Sequence, residues 1–140
     1  MKICLLPFLL IAHLYATSQS LTIRVTGVRS SSGSIRVAFY NNAEDFAKEK
    51  ALFIRTASKA GMSGGVVSIV YTDLKPGTYG VAVLDDENSN REMDYGLILP
   101  EEGFGFSDYY HSGMSRPTFD KFDFTLGSET KATVVKIRYL

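Results

Sequence analysis

Cysteine, tryptophan and histidine are scarce in this chain of 140 residues, which has one cysteine, no tryptophan and two histidines. Cys4 lies in an N-terminal segment that we expect to be removed, so a mature domain without disulfides must be held by its core or by a metal. His111 is the one histidine beyond that segment, which excludes a zinc site made of several His or Cys ligands. Nucleophile-elbow and phosphate-cradling Gly motifs are also missing.

An excess of charge of one sign is lacking as well. The chain has 15 Lys and Arg against 15 Asp and Glu, without a run of basic residues. A nucleic-acid partner is therefore not expected. After the N-terminal segment, no apolar run approaches the roughly 20 residues that a membrane span needs, so we expect no span in the mature chain.

The N-terminus has the layout of a secretory signal peptide. Lys2 precedes the apolar run Ile3–Ala12, and the small residues Ala16 and Ser18 follow. The alternative is a buried first strand or helix. We expect residues 1–18 to be the signal peptide and residues 19–140 to be one domain, exported to the periplasm or the cell exterior.

Alternating apolar and polar residues predict two strands near the start of the domain. Leu21–Thr26 alternates throughout, as a half-buried strand does. A second strand has Ile35, Val37 and Phe39 on its core face and Arg36 pointing outward. Because the two strands are so close in sequence, we expect them to pair as an antiparallel hairpin.

Turn residues and β-branched runs divide the rest of the chain. Asn42 is suited to cap a short helix with Phe46 inward, and Tyr79 follows a Pro-Gly turn to whose backbone it is expected to bond. Further extended segments are expected over 52–55, 66–71, 79–84, 119–126 and 133–140. About seven strands and one short helix predict an all-β fold, a two-sheet antiparallel sandwich.

Oxygen-bearing side chains recur at alternate positions in an acidic segment, at the spacing of positions 1, 3, 5, 7 and 9 of a calcium loop. The five residues are Asp86, Asn88, Asn90, Glu92 and Asp94. Arg91 occupies the position where glycine is expected. Leu97 occupies the position of the bidentate carboxylate, which would have to come from Glu101 or Glu102 instead. The alternative is a metal-free loop closed by Asx-turns. If Ca²⁺ binds, the expected Kd is about 10⁻⁴–10⁻³ M.

An aromatic, Gly-rich stretch follows, over residues 103–111. It is either a binding platform or a seal over one end of the core. We expect Phe104 and Phe106 to pack internally, and Tyr109, Tyr110 and His111 to be the candidates for ligand binding.

Five segments that follow one another through the domain carry a resemblance to a known family: Gly33–Tyr40, Leu74–Val83, Asp86–Asn90, Glu102–Ser107 and Pro117–Asp120. They are similar to the bacterial family called domain of unknown function 2141. The resemblance implies an exported β-sandwich, immunoglobulin-like or transthyretin-like, with no known activity.

The acidic segment departs from the pattern of that family. Members typically have His-Asp-Glu-Asn-Gly-Asn-Gly, whereas this chain has Asp85 in place of the histidine, and Ser89 and Arg91 in place of the glycines. The loss of both glycines counts against calcium. The similarity of the segment to Asp- and Asn-rich calcium loops of bacterial surface adhesins counts in its favour.

Three functions remain open at this point. We expect a non-catalytic exported module that binds or scaffolds a partner, such as an envelope protein or a glycan, through the 85–111 loops, with or without calcium. The alternative is a carbohydrate-active or other hydrolytic enzyme that uses loop carboxylates and His111, with carboxyls about 5–5.5 or 6.5–9.5 Å apart. A purely structural envelope protein is the third.

Overall fold

The structure, a computed structural model, describes residues 19–94 and 100–140. The predicted signal peptide, residues 1–18, lies outside the described residues, as does Leu97. Within the two described ranges, no helix has the length and hydropathy needed to cross a membrane. The elements are β1 (Leu21–Thr26), β2 (Ser34–Tyr40), α1 (Ala43–Ala47), β3 (Phe53–Ser58), β4 (Val67–Tyr71), β5 (Gly77–Asp86), β6 (Gly103–Phe106), a 3-10 turn (Phe119–Lys121), β7 (Asp123–Leu126) and β8 (Lys131–Lys136).

The strands form two sheets. One has the order β4-β1-β8, in which β1 is antiparallel to β4 and parallel to β8. The other has the order β3-β2-β5-β6, and β7 pairs with the first part of β5, so that β6 and β7 follow each other along one edge of that strand. The predicted all-β, two-sheet, mostly antiparallel fold with one short helix is confirmed.

The expected hairpin of the first two strands is wrong. β1 and β2 lie in different sheets and face each other across the core. Each strand buries one complete face, because Ile23, Val25, Ile35 and Val37 are fully inaccessible. The segment between them crosses over at Gly27, whose φ of 75° favours glycine. Alternation predicts which face of a strand is buried. It does not distinguish two strands that pair in one sheet from two strands that belong to opposite sheets.

A second apolar cluster lies on the outer face of the five-stranded sheet. It consists of Tyr40, Phe46, Phe106, Phe119 and Phe122. The helix α1 supplies Phe46, and its predicted cap is confirmed, because the Asp45 N–H donates to Asn42 Oδ1 at 2.8 Å. This cluster covers one end of the outer face and leaves the rest of it available.

Residues 119–121 were expected to begin a strand, and that expectation is wrong. They form a 3-10 turn that brings the rings of Phe119 and Phe122 down onto Gly80, where a Cβ would lie 2.6 Å from one ring and 2.7 Å from the other. The three-residue spacing of these rings matches a turn and not the alternation of a strand. Tyr79 behaves as predicted, and its hydroxyl donates to Lys75 O at 2.7 Å.

Two segments expected to be loops are strands. β5 extends to Asp86, so that Asp85 and Asp86 belong to the sheet and not to the acidic loop. The Gly-Phe-Gly-Phe segment forms β6, because Gly103 and Gly105 allow the backbone to approach the end of β8 closely. The Phe104 N–H donates to the carbonyl of a residue after β8 at 3.0 Å, which closes the sandwich on this side.

Candidate functional site

A groove of about 560 Å³ lies on the outer face of the five-stranded sheet, beside the second cluster. Its floor contains Ala38 of β2 and Ala82 of β5, which are direct neighbours across the two strands. Leu84 and Phe104 are paired in the next row. Two adjacent alanines leave a depression between larger side chains, and its volume lies within the about 300–1,000 Å³ typical of small-molecule sites.

The segment 111–117 forms one wall of the groove. Arg138 holds it to the end of the sandwich, since its Nη1 donates to His111 O at 2.9 Å. Arg116 holds it to α1, through an ion pair of 3.0 Å with Glu49 Oε1 and a hydrogen bond of 3.0 Å to a carbonyl of the helix. These contacts set the position of the wall without any ligand.

Another part of the lining is supplied by Arg91 and Met93 of the acidic loop and by Pro100. Together with the floor, these residues make the lining mainly apolar. Three large apolar side chains that remain exposed also line the groove. They are Ile54 at 49%, Met114 at 77% and Leu140 at 44% exposure.

The acidic loop is held by bonds between its own side chains and backbone. Both carboxylate oxygens of the buried Asp86 accept backbone N–H groups, from Asn90 at 3.1 Å and from Arg91 at 2.9 Å. The side-chain amides of Asn88 and Asn90 both donate to the Asp94 carboxylate, the second at 2.8 Å. The loop therefore presents Arg91 at the groove from a fixed backbone.

Four of the five predicted calcium ligands, Asp86, Asn88, Asn90 and Asp94, come together in this loop. The side chain of the fifth, Glu92, is exposed, and only its N–H joins the network, at 2.9 Å from Asn90 Oδ1. The Asx-turns of the metal-free alternative are present as well. Within 19–94 and 100–140, no three acidic or histidine side chains converge in the geometry of a metal site.

Glu102, one of the two residues from which the bidentate carboxylate was expected, also lies at this loop. It is buried under the loop, and it accepts the N–H groups of Glu87 at 2.9 Å and of Asp94 at 3.4 Å. Burial raises the pKa of Glu102, and the charges of Asp94 and Asp86 raise it further against those two hydrogen bonds. The carboxylates of Asp86, Asp94 and Glu102 therefore lie near one another at the base of the loop, and each accepts N–H donors.

Asp85 lies on the core side of the sheet and faces Lys59. Both are almost completely buried and form an ion pair. Lys59 Nζ also donates to the carbonyls of Ser30 at 3.0 Å and Ser32 at 2.5 Å, and the Tyr139 hydroxyl donates to Asp85 Oδ2 at 2.5 Å. Burial and this hydrogen bond raise the pKa of Tyr139. The network joins the end of β5 to the 30–32 turn and the C-terminal segment.

The three residues predicted to bind a ligand do not form one site, although the ring centroids of Tyr109 and His111 lie 5.9 Å apart. His111 lines the groove, and its Nε2 contacts Ser115 O. Tyr110 is 49% exposed outside the lining, with Lys136 Nζ 4.9 Å from its ring, and Tyr109 is half-buried against the second cluster. Asp85 and Asp86, two of the carboxylates that the hydrolytic alternative would use with His111, are bonded in the networks described above.

The floor and walls include residues that sequence reasoning missed. Arg36, Ala38, Ala82 and Met114 line the groove, and none was predicted as a site residue. The period-2 pattern of β2 and β5 does place the first three on the outward face. Only the register between the two strands shows that the alanines are adjacent.

The comparison with protein families gives one match. The family model described as "Uncharacterized protein conserved in bacteria (DUF2141)" matches residues 23–134, which is most of the chain. No curated protein and no solved structure matches. The matched range contains the whole acidic loop and nearly the whole groove.

Proposed function

The chain belongs to DUF2141, a family of uncharacterised bacterial proteins, and from this premise we propose that it is an exported, non-catalytic β-sandwich that binds a ligand in the groove. The observation that carries the proposal is the apolar floor at Ala38 and Ala82, beside a wall that is already fixed. Preformed, mostly apolar concavities with a few polar groups are typical of small-molecule sites. The exposed apolar side chains of Ile54, Met114 and Leu140 along the groove favour the same function.

The groups around the groove favour binding over hydrolysis. Of the side chains named in its lining, His111 and Glu49 are the ones suited to acid–base chemistry. Glu49 is paired with Arg116, and His111 Nε2 contacts Ser115 O. A glycosidase needs two carboxyls facing one cleft, and the described lining offers one. The alternative enzyme therefore has less support than the binding module.

Filling the floor tests the binding site. We expect Ala82→Leu to weaken binding of the neutral fluorophore N-phenyl-1-naphthylamine about tenfold or more, because the added atoms occupy the space of the ligand. Ala132→Leu, at an exposed position on the other sheet, is the matched control and should bind as the wild type does. Equal binding by Ala82→Leu and the wild type would show that the groove is not the site.

Export is a separate part of the proposal and rests on the signal-like N-terminus. In a bacterial host, the full-length protein is expected in the periplasm or medium with Gln19 as its first residue. Leu9→Arg, which places a charge in the apolar run, should leave the protein in the cytoplasm. Intact-mass measurement of the exported fraction checks this, and full-length protein retaining Met1 in the cytoplasm would contradict it.

Calcium binding by the acidic loop is a second candidate. It is supported by the convergence of Asp86, Asn88, Asn90 and Asp94, and by the negative charge around Glu102. Ca²⁺ would replace the amide donors at Asp94 and offset that charge. Nothing in the loop requires the ion, since its backbone is already bonded.

A melting experiment tests this candidate. With a Kd of about 10⁻⁴–10⁻³ M, about 10 mM Ca²⁺ should stabilise the domain by about 1.4–2.7 kcal/mol relative to chelator. The melting temperature should rise by several degrees, and Asp94→Asn should abolish most of the rise. The same melting temperature with calcium and with chelator would reject calcium and leave the groove proposal untouched.

A further inference from the structure

We propose that the ligand of the groove is an amphipathic anion, with its apolar body on the alanine floor and its anionic group beside Arg36 and Arg91. The inference rests on the proposed function and specifies the class of ligand. It commits to a free molecule such as a fatty acid or an aryl acid. Three features of the described residues support it: the absence of Arg36 from the ion pairs formed among them, the backbone conformation of Arg91, and the apolar side chains that line the same groove.

Arg36 is a half-buried cation that lines the groove beside apolar side chains. It points outward from β2, and its neighbours across the adjacent strands are Thr56 and Leu84. The ion pairs formed among residues 19–94 and 100–140 involve other arginines and lysines, and Arg36 is in none of them. A guanidinium next to apolar side chains gains most from a carboxylate or similar group that accepts two of its N–H bonds.

Arg91 lines the same groove from the acidic loop. Its φ is 69°, a left-handed conformation that glycine adopts without strain and that is unfavourable for other residues. The Asp86 carboxylate holds it there through the Arg91 N–H at 2.9 Å. A strained position that carries a long cationic side chain into a groove is typical of a ligand contact.

The cationic side chains of the groove suit an anion. Among its lining side chains, Glu49 is paired with Arg116 at 3.0 Å, whereas Arg36 and Arg91 are in none of the ion pairs formed within residues 19–94 and 100–140. Two like charges facing one apolar floor attract an anion and are stabilised by it.

The apolar lining distinguishes an amphipathic anion from an inorganic one. Leu84, Phe104, Met93 and Met114 surround the floor. Methionine side chains adapt to irregular apolar ligands. Phosphate or sulfate alone would leave this surface uncovered, so the apolar body supplies most of the binding and the head group supplies selectivity.

Two matched fluorophores test the inference. 1-Anilinonaphthalene-8-sulfonate and N-phenyl-1-naphthylamine share the aromatic body and differ in the sulfonate. The wild type should bind the sulfonate at one saturable site, and dodecanoate should displace it, whereas inorganic phosphate and anionic phosphatidylglycerol vesicles should not. Arg36→Gln and Arg91→Gln should each weaken binding of the sulfonate about tenfold. The Kd of the neutral probe should change less than about twofold.

Arg24→Gln is the matched control, because Arg24 is an exposed arginine on the three-stranded sheet. Arg24→Gln should leave the binding of both probes unchanged. If Ala82→Leu abolishes binding of both probes and neither arginine substitution weakens binding of the sulfonate, the proposal of an anionic head group is wrong and the groove function stands. If Ala82→Leu affects neither probe, both proposals are wrong. Displacement by vesicles alone would assign the site to a membrane surface and overturn the free ligand.

Discussion

Lys59→Met is expected to destabilise the domain by about 3–5 kcal/mol, because the Asp85 carboxylate then remains buried without its cation. The pair is almost inaccessible to solvent, with 2% and 0% of the two side chains exposed. The substitution also frees the carbonyls of Ser30 and Ser32, to which Lys59 Nζ donates. Urea unfolding followed by circular dichroism measures the loss.

Two comparisons isolate the cause of that loss. Lys48→Met breaks an exposed pair with Glu44 in α1 and should cost only about 0.3–0.5 kcal/mol. The double variant Lys59→Met with Asp85→Leu removes both buried charges and should recover much of the stability that the single variant loses. Equal losses for Lys59→Met and Lys48→Met would show that the buried pair does not stabilise this end of the sandwich.

The buried pair also connects stability to the groove. Asp85 is adjacent to Asp86, whose carboxylate fixes the backbone of Arg91. The nearby pair of Arg29 and Glu87, at 2.5 Å, is half exposed on the Arg29 side and is expected to contribute much less. Loosening of the end of β5 should therefore weaken binding of the anionic probe before the domain unfolds.

Gly105→Ala is the second substitution with a large expected effect, a loss of about 3 kcal/mol or more. A Cβ at this position would lie 2.7 Å from Lys136 O and 2.7 Å from Val135 Cγ1. The carbonyl cannot move away easily, because β6 is bonded to the segment after β8 by two hydrogen bonds between Phe104 and Arg138, of 3.0 and 2.8 Å. The sandwich would have to open along this edge.

Gly127→Ala provides the control for this substitution. Nothing lies within 4 Å of a Cβ at Gly127, and the change should stay within about 0.5 kcal/mol. Thermal or urea unfolding of the two variants gives the comparison. A loss for Gly105→Ala as small as that for Gly127→Ala would mean that the close approach of β6 and β8 does not hold the sandwich closed.

Local patterns predicted the parts of the fold that depend on a single segment. The alternation in Leu21–Thr26 predicted β1 with its bounds, and Asn42 predicted the start of α1. The sheet to which each strand belongs depends on contacts between distant segments. For that reason β1 and β2 were paired wrongly, although their buried residues were identified correctly.

The strand β6 was missed because the reason for its glycines lies outside its own sequence. Two glycines in four residues give β6 a low β-propensity. They are required because Lys136 and Val135 approach from the other sheet. Pairing with neighbouring strands likewise decides where the acidic loop begins. Asp85 and Asp86 continue β5, and the loop begins after them.

The groove could be predicted only in part. The outward position of Ala38 and Ala82 follows from strand periodicity, and His111 was selected for its chemistry. The segment 111–117 has no periodic pattern, and its position depends on Arg116 and Arg138, which bond to residues far away in the sequence.

Mapping a ligand on the ¹⁵N-labelled protein by amide chemical shifts tests most directly that the outer face of the five-stranded sheet is the binding site. Titration with 1-anilinonaphthalene-8-sulfonate should give its largest shifts at Arg36, Ala38, Ala82 and Phe104, which line the groove. Shifts concentrated at Arg24 and its neighbours on the three-stranded sheet, or spread evenly over the domain, would contradict the proposed site.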